Sequence, residues 1–274
     1  MALRAARPLT TSFNDGRVAA LGYPLRVWAV GPVYGHFGAL CQLHEMLLRR
    51  LRPFERVVYL GNYLGAHSQW SGEGAAVLGE LISFRNTLIA LPGFFAEDVV
   101  FLRGRMEDLA FEATRLPFQK PGWLEAALAS GLESYLSAYG IMAHHIEDAA
   151  QPGVFSANRF AQKWQALMRS KPGHAGFYRH LHCAAATNDS KPIAFVPEGL
   201  EPSLPLHLQR ENLYRPEKDI TRLPGYFSYQ RIVRGAGPVS DGFVLTLDGG
   251  NHLEGVLHAA CLDPDGQIIE HLVF

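Results

Sequence analysis

Val27-Trp-Ala-Val-Gly-Pro-Val-Tyr-Gly-His-Phe-Gly-Ala-Leu40 is the stretch that decides the fold of this chain. It opens with a short apolar run, as a buried strand does, and Gly31 and Gly35 bracket the turn that follows. Over residues 36–51, apolar side chains recur at steps of three and four, which predicts an amphipathic helix. In α/β proteins a turn between a strand and a helix lies at the carboxyl end of a sheet strand, where ligands usually bind. The turn is therefore a candidate site.

Two more strand–turn–helix units follow along the chain. Apolar runs at 56–60 and 98–102 predict strands, and helices are predicted over 75–91 and from about residue 105. Three such units in succession imply right-handed crossovers and a parallel sheet. A helical region is predicted over 123–168 and shorter strands after it, at 180–186, 192–196, 229–233, 243–247, 255–262 and 267–273. Helices followed by strands predict an α/β fold with two packed sheets.

Composition limits the classes of protein. We expect one domain over 25–274 of the 274 residues, preceded by a tail or edge extension over 1–24. A net charge of -1 gives no reason to expect nucleic acid as a partner. The chain has no apolar run long enough to cross a membrane and no leader-like start, and its three cysteines are far apart, so we expect a cytoplasmic protein without membrane insertion. The oligomeric state stays open.

Five short segments carry a family resemblance. They are Gly31-Pro-Val-Tyr-Gly35, Gly61-Asn-Tyr-Leu-Gly-Ala-His67, Gly104-Arg-Met-Glu107, Val196-Pro-Glu-Gly199 and Gly235-Ala-Gly-Pro238. Their order and spacing resemble the calcineurin-like metallophosphoesterases, most of all the bacterial serine/threonine protein phosphatases. That family has Gly-Asp-x-His-Gly, Gly-Asp-x-x-Asp-Arg-Gly, Gly-Asn-His-Glu, Val-His-Ala-Gly and Gly-His-Thr-Pro at these places. The resemblance covers roughly residues 26–272. It implies two packed mixed β-sheets flanked by helices, an α/β/β/α sandwich.

The residues that carry the family's chemistry differ in this chain. The match places the metal-ligand positions on Pro32, Tyr34, Asn62, Arg105, Pro197 and Ala236, the general acid on Met106, and the phosphate-handling pair on Gly65 and Ala66. Two bridged metal ions need carboxylate, imidazole and amide ligands. Of these positions only Asn62 could still offer a weak oxygen ligand, its neutral amide, and Arg105 would put a fixed positive charge where a cation binds. The resemblance therefore implies no catalytic residue, no metal site and no cofactor.

The first hypothesis is a pseudophosphatase, a binding, regulatory or scaffolding module whose partner is another protein. Its candidate surfaces are the N-terminal tail and the segment 206–226, which is rich in charged residues and carries Tyr214 and Tyr226, with Phe227 beside it. An ordinary solvated loop is the simpler interpretation of that segment. A related hypothesis is that a phosphorylated small molecule binds in the metal-free pocket, where Asn62, Arg103, Arg105 and Arg234 would contact it.

The alternative is a divergent metal-dependent phosphoesterase, with manganese or another divalent ion at a single or relocated site. His144 and His145 form one candidate cluster of ligands, and His174, His180 and His182 form another. His180 and His182 would share one face of the strand predicted over 180–186, a suitable spacing for a metal. Half-buried histidines without a metal explain the same pattern, and the sequence leaves the choice open.

Overall fold

Ten strands and eight α-helices occur in the part of the chain that the computed structural model describes, residues 17–65, 74–151, 153–248 and 256–274. The strands are β1 (Val18–Ala20), β2 (Arg26–Val30), β3 (Glu55–Tyr59), β4 (Val99–Phe101), β5 (Ala184–Ala186), β6 (Ile193–Val196), β7 (Arg231–Arg234), β8 (Val244–Thr246), β9 (His258–Leu262) and β10 (Ile268–Val273). The helices are α1 (Phe37–Arg50), α2 (Gly74–Ile89), α3 (Arg105–Ala113), α4 (Trp123–Ala129), α5 (Leu132–Ser137), α6 (Ala143–Ala150), α7 (Val154–Ser170) and α8 (His174–Arg179).

The strands form two five-stranded mixed sheets. The first has the order β10-β9-β2-β3-β4, in which β2, β3 and β4 are parallel and β9 runs antiparallel to both β2 and β10. The second has the order β1-β5-β6-β7-β8, in which β6, β7 and β8 are parallel and β5 runs antiparallel to β6. The prediction of two mixed sheets with helices beside them is confirmed.

Successive side chains of the central strands point to opposite faces of the first sheet, so the core has separate layers on the two faces. Val27 and Ala29 face the second sheet, where they join a cluster that includes Phe195, Val233 and Leu245. Their neighbours Trp28 and Val30 point to the opposite face and belong to a larger cluster to which all eight helices contribute. A strand whose two faces are both buried is apolar at every position, which explains the continuous apolar runs in the sequence.

The outer face of the second sheet is covered by segment 206–226, which contains two short 3-10 helices, Leu206–Leu208 and Glu211–Leu213. Tyr214 and Tyr226 are buried there against Val196, Ile232 and Val244. The expectation of an exposed segment is therefore wrong for both tyrosines, because the apolar outer face of the sheet needs a cover. Phe227, just past the segment, is exposed.

The strand predicted over 180–186 is shorter than expected. Helix α8 continues to Arg179, and the His180 ring then caps it with a 2.7 Å hydrogen bond from Nδ1 to the Gly176 carbonyl. Only Ala184–Ala186 forms a regular strand, and His182 makes a single bridge with Leu102. His180 and His182 therefore do not share a strand face, and that prediction is wrong.

The N-terminal region contributes an edge strand. Val18–Ala20 pairs in parallel with Ala184–Ala186 at one side of the second sheet. Residues 1–16, most of the predicted tail, lie outside the described ranges. Within those ranges, every helix is too short or too polar to cross a membrane.

Candidate functional site

The carboxyl ends of the parallel strands in both sheets open onto one cavity of about 730 Å³. The first sheet contributes Tyr34 after β2, Asn62 after β3, and Arg105 and Met106 after β4. The second sheet contributes Glu198 after β6, Ala236 after β7 and Asp248 after β8, and Ser130 and Gly131 enter from the turn between α4 and α5. The edge at which two sets of parallel strands end is the usual place for a ligand in an open α/β fold.

Close backbone contacts fix the turns around this cavity. A Cβ atom on Gly31 would lie 2.0 Å from the carbonyl oxygen of Leu247, which follows β8 of the other sheet. A Cβ atom on Gly104 would lie 2.3 Å from the Asn62 nitrogen. Tyr34 and Asn62 adopt left-handed φ angles of 47° and 56°. Non-glycine residues in this region cost about 1–3 kcal/mol each and are concentrated at functional sites.

The buried Glu107 side chain joins the turn after β3 to the turn after β4. Its carboxylate accepts backbone N–H hydrogen bonds from Asn62 at 2.8 Å, Tyr63 at 2.9 Å and Gly104 at 2.9 Å. Burial raises the pKa of Glu107 to about 7, although these hydrogen bonds act in the opposite direction. Three donors from two turns therefore depend on one buried carboxylate.

The side chain of Asn62 connects the two halves of the cavity. Its Oδ1 accepts the Met106 N–H at 3.0 Å, at the start of α3, and its Nδ2 donates to Glu198 Oε1 at 3.3 Å. The same amide hydrogen-bonds to the Tyr34 hydroxyl. The Asn62 amide is thus used by three protein groups.

Arg105 supplies the positive charge in the cavity lining. Its Nη2 donates to Ser130 Oγ at 3.2 Å, and its buried Nε has no hydrogen-bond partner among the described residues. Burial raises the pKa of Glu198 to about 7, and both the Asn62 hydrogen bond and the Arg105 charge oppose that rise. Glu198 therefore exchanges a proton near neutral pH, with a guanidinium beside it.

Two solved structures have a similar fold. One is a protein assigned as a diadenosine tetraphosphatase, 13% identical, with a TM-score of 0.50 over 93% of this chain and 98% of that chain. The other is a point mutant of a cold-active protein tyrosine phosphatase, 14% identical, with a TM-score of 0.50 over 94% of this chain and 83% of that chain. The chain has the calcineurin-like phosphoesterase fold. At these identities the likeness concerns the fold alone. No family model and no curated protein sequence matches the chain.

The calcineurin-like fold brings most of the degenerate motif positions together. Tyr34, Asn62, Arg105, Met106 and Ala236 line the cavity. Pro32 and Pro197 are buried and are not among its lining residues, and the Pro197 carbonyl accepts the N–H groups of Gly235 and Ala236, each at 2.9 Å. Gly65 lies against the methyl end of Met106. Ala66 and His67 lie outside the described residues.

The other two arginines of the predicted anion-binding set are not among the residues that line the cavity. Arg103 pairs with Asp108 at 2.8 Å and lies over the Phe111 ring, 4.4 Å from its centroid. Arg234 is buried, and it donates to Thr246 Oγ1 at 2.9 Å, to Thr221 Oγ1 at 2.8 Å and to the Pro238 carbonyl at 2.6 Å. Of the four predicted residues, Asn62 and Arg105 share the cavity.

The donors that the described residues place in the cavity do not match those of a two-metal centre. Among the described residues, no three His, Cys, Asp or Glu side chains are grouped so that they could hold a metal ion. His174 hydrogen-bonds to the Tyr139 hydroxyl at 2.7 Å, and His145 accepts the Met142 N–H at 3.0 Å. The cavity offers the oxygens of Asn62, Glu198 and Asp248, but the Arg105 guanidinium shares the space and would repel two adjacent dications.

Sequence reasoning missed Glu198 and Asp248 as residues of the cavity. Each stands two positions after the last residue of a strand, β6 and β8 respectively. An acidic residue immediately after a parallel strand is a signal that could have found them. Ser130 had no such signal, because it comes from a connection between two helices.

Proposed function

We propose that this chain is a pseudophosphatase, a binding module with a calcineurin-like fold that holds a phosphorylated small molecule without hydrolysing it. The observation that carries the proposal is Arg105 beside Glu198, in the cavity where the motif comparison places metal ligands. A guanidinium provides there, as a permanent part of the chain, the positive charge that a metal-dependent enzyme takes from its ions.

The cavity also suggests the character of the ligand. The Arg105 guanidinium, whose Nε has no hydrogen-bond partner among the described residues, lies at the start of α3 and suits a phosphate group. Glu198 and Asp248 line the same space and would repel a bare phosphate. They suit the hydroxyl or amino groups of a larger molecule. A phosphate attached to a sugar or nucleoside therefore fits better than inorganic phosphate does.

Calorimetric titration with adenosine monophosphate and with inorganic phosphate, both without added metal, tests the proposal. We expect adenosine monophosphate to bind more tightly than phosphate, and Arg105→Gln to weaken its binding about tenfold or more, the size of one charge-assisted hydrogen bond. Arg222→Gln removes an exposed arginine outside the cavity lining and is the matched control. No binding of either compound to the wild type, or equal losses in the two variants, would contradict the phosphate-binding proposal.

The alternative function is a divergent metal-dependent phosphoesterase. The position of Glu198 in the cavity lining favours it, because burial raises the pKa of this carboxyl group to about 7, a value suited to general acid–base chemistry. The test is hydrolysis of p-nitrophenyl phosphate with and without manganese. Turnover that is lost in Glu198→Gln and kept in Glu201→Gln would establish the enzyme and overturn the pseudophosphatase.

A further inference from the structure

A second cavity, of about 650 Å³, lies at the opposite end of the first sheet, where β2 and β3 begin and α1 ends. Four arginines line it, Arg26, Arg49, Arg50 and Arg52. Three of them come from the end of α1 and the residues just after it. The fourth is the first residue of β2. We call this site the arginine cleft.

Protein contacts use only part of the donor capacity of these arginines. Arg52 Nη1 donates to the carbonyls of Arg49 and Leu51, both at 3.2 Å, and so caps the end of α1. Arg50 pairs with Glu270 on β10. The Arg49 side chain is 79% exposed, and its ion pair with the exposed Glu45 has a separation of 3.7 Å. Each guanidinium carries five N–H donors, so most of them remain for a ligand.

The charge of the cleft is opposite to that of the whole chain. Four arginines and two glutamates, Glu55 and Glu270, line the cleft, and Glu45 pairs with Arg49, which leaves a surplus of one positive charge in a chain of net charge -1. Glu55 is buried, accepts the Trp28 Nε1–H at 3.2 Å and lies 3.9 Å from Arg26 Nε, so this carboxylate already has protein partners. The surface that a ligand meets therefore has a net positive charge, carried by arginines with spare N–H donors.

Exposed apolar side chains adjoin the arginines. Leu25 lines the cleft with 60% of its surface exposed. Its N–H donates to the Phe54 carbonyl at 3.0 Å, which places Phe54, 63% exposed, beside it. Arginines next to apolar and aromatic groups are typical of protein–protein interfaces.

We propose that the arginine cleft binds an acidic peptide segment of a partner protein. Carboxylates of the peptide pair with Arg26, Arg49 and Arg50, and an apolar side chain packs on Leu25 and Phe54. Free phosphate would use the charge but leave the apolar groups exposed. Nucleic acid is disfavoured because the basic surface is one compact cleft on a chain whose net charge is negative. This inference is independent of the cavity at the other end of the sheet.

Fluorescence anisotropy on the full chain tests the proposal. The probe is a labelled peptide of glutamates interspersed with leucine and phenylalanine, compared with the same peptide carrying glutamine for glutamate. We expect the acidic peptide to bind and the glutamine peptide not to bind, and we expect binding to weaken as salt is added. Arg49→Gln should weaken binding about tenfold, whereas Arg169→Gln, which removes an exposed arginine in the last turn of α7, should not change it.

A second variant tests the apolar part of the site. Leu25→Ser should weaken the acidic peptide several-fold while leaving the salt dependence unchanged. Equal binding of the two peptides, equal effects of Arg49→Gln and Arg169→Gln, or tighter binding of a thymidine oligonucleotide that competes with the peptide would each overturn the proposal. The unfolding temperature of every variant shows whether the fold is kept.

Discussion

One carboxylate oxygen of Glu107 accepts both the Asn62 N–H at 2.8 Å and the Gly104 N–H at 2.9 Å. It thereby joins the turn after β3 to the turn after β4. Gly104 and Glu107 are two residues of the third motif that agree with the family pattern, while the two residues between them differ. The two residues that agree with the family pattern thus hold the backbone in place, and the two that differ, Arg105 and Met106, line the cavity.

Replacing Glu107 should therefore destabilise the protein strongly. Glu107→Ala leaves the N–H groups of Asn62, Tyr63 and Gly104 without their acceptor, and the expected loss is about 3–5 kcal/mol in the free energy of unfolding. Urea denaturation measures it. Glu133 is also acidic and in the first turn of a helix, but it is exposed, so Glu133→Ala should cost less than about 1 kcal/mol. Similar losses in both variants would contradict the role given to Glu107.

Two glycine-to-alanine substitutions should change stability in opposite directions. Gly31→Ala puts a methyl group 2.0 Å from the Leu247 carbonyl oxygen, and forced separation of the two sheets should cost about 1–3 kcal/mol or more. Gly79 lies in the interior of α2, exposed, with open space around it. Gly79→Ala should raise the free energy of unfolding by about 0.5–1 kcal/mol. Thermal unfolding of the two variants distinguishes these outcomes, and a neutral Gly31→Ala would contradict the close contact.

Glu198 should make stability depend on pH near neutrality. Its pKa is about 7 in the folded protein against an ordinary value of 4.5, so between these pH values the folded state holds a proton that the unfolded chain has released. This contribution to stability is present below pH 4.5 and is lost as the pH rises to about 7. Glu198→Gln removes it, and the variant should lose less stability than the wild type between about pH 5 and pH 7.5.

Glu201→Gln is the control for that measurement. The Lys218 and Ser203 hydrogen bonds lower the pKa of Glu201 to about 2, which lies outside the measured window. Its pH profile of unfolding free energy should run parallel to that of the wild type. A Glu198→Gln profile that is also parallel would show that the carboxyl group titrates normally.

The buried ion pair between Arg56 and Asp98, 2.7 Å apart, should be sensitive to loss of one partner. Arg56→Met leaves the Asp98 carboxylate buried without its cation, and the expected loss is about 3–5 kcal/mol. Arg159 and Asp148 form an exposed pair at 3.6 Å, so Arg159→Met should change stability by less than about 1 kcal/mol. Chemical denaturation compares them, and equal effects would contradict the importance of burial.

The central strands could be predicted because two buried faces leave a continuous apolar run in the sequence. The segment that covers the second sheet could not. Leu206, Leu213, Tyr214, Ile220 and Tyr226 are buried, and the intervals between them fit neither a helix nor a strand. The charged residues between them suggested an exposed loop. In a helix or a strand the buried residues recur at a fixed interval that the sequence shows. Buried residues of an irregular segment have no helical or strand interval by which to recognise them.

The candidate site was predictable in position but only partly in content. The glycine turns located the cavity, and five of the motif positions line it. Arg103 pairs with Asp108, and Arg234 donates to Thr246. The sequence alone could not show that these two arginines would use those partners and would not line the cavity. Residues from the second sheet, Glu198 and Asp248, meet those of the first sheet only after the two sheets pack.

Strand β1 forms one side of the second sheet, although the next strand along the chain, β2, lies in the first. The short link between them therefore ties the two sheets together from the N-terminal side. A shortened protein that began at residue 25 would uncover the backbone of β5, a run of three buried alanines with no charged side chain. Each molecule would then expose the unpaired backbone N–H and C=O groups of β5, and exposed edge strands of this kind pair with one another. Shortening the protein in this way would produce aggregation while leaving the residues of the cavity untouched.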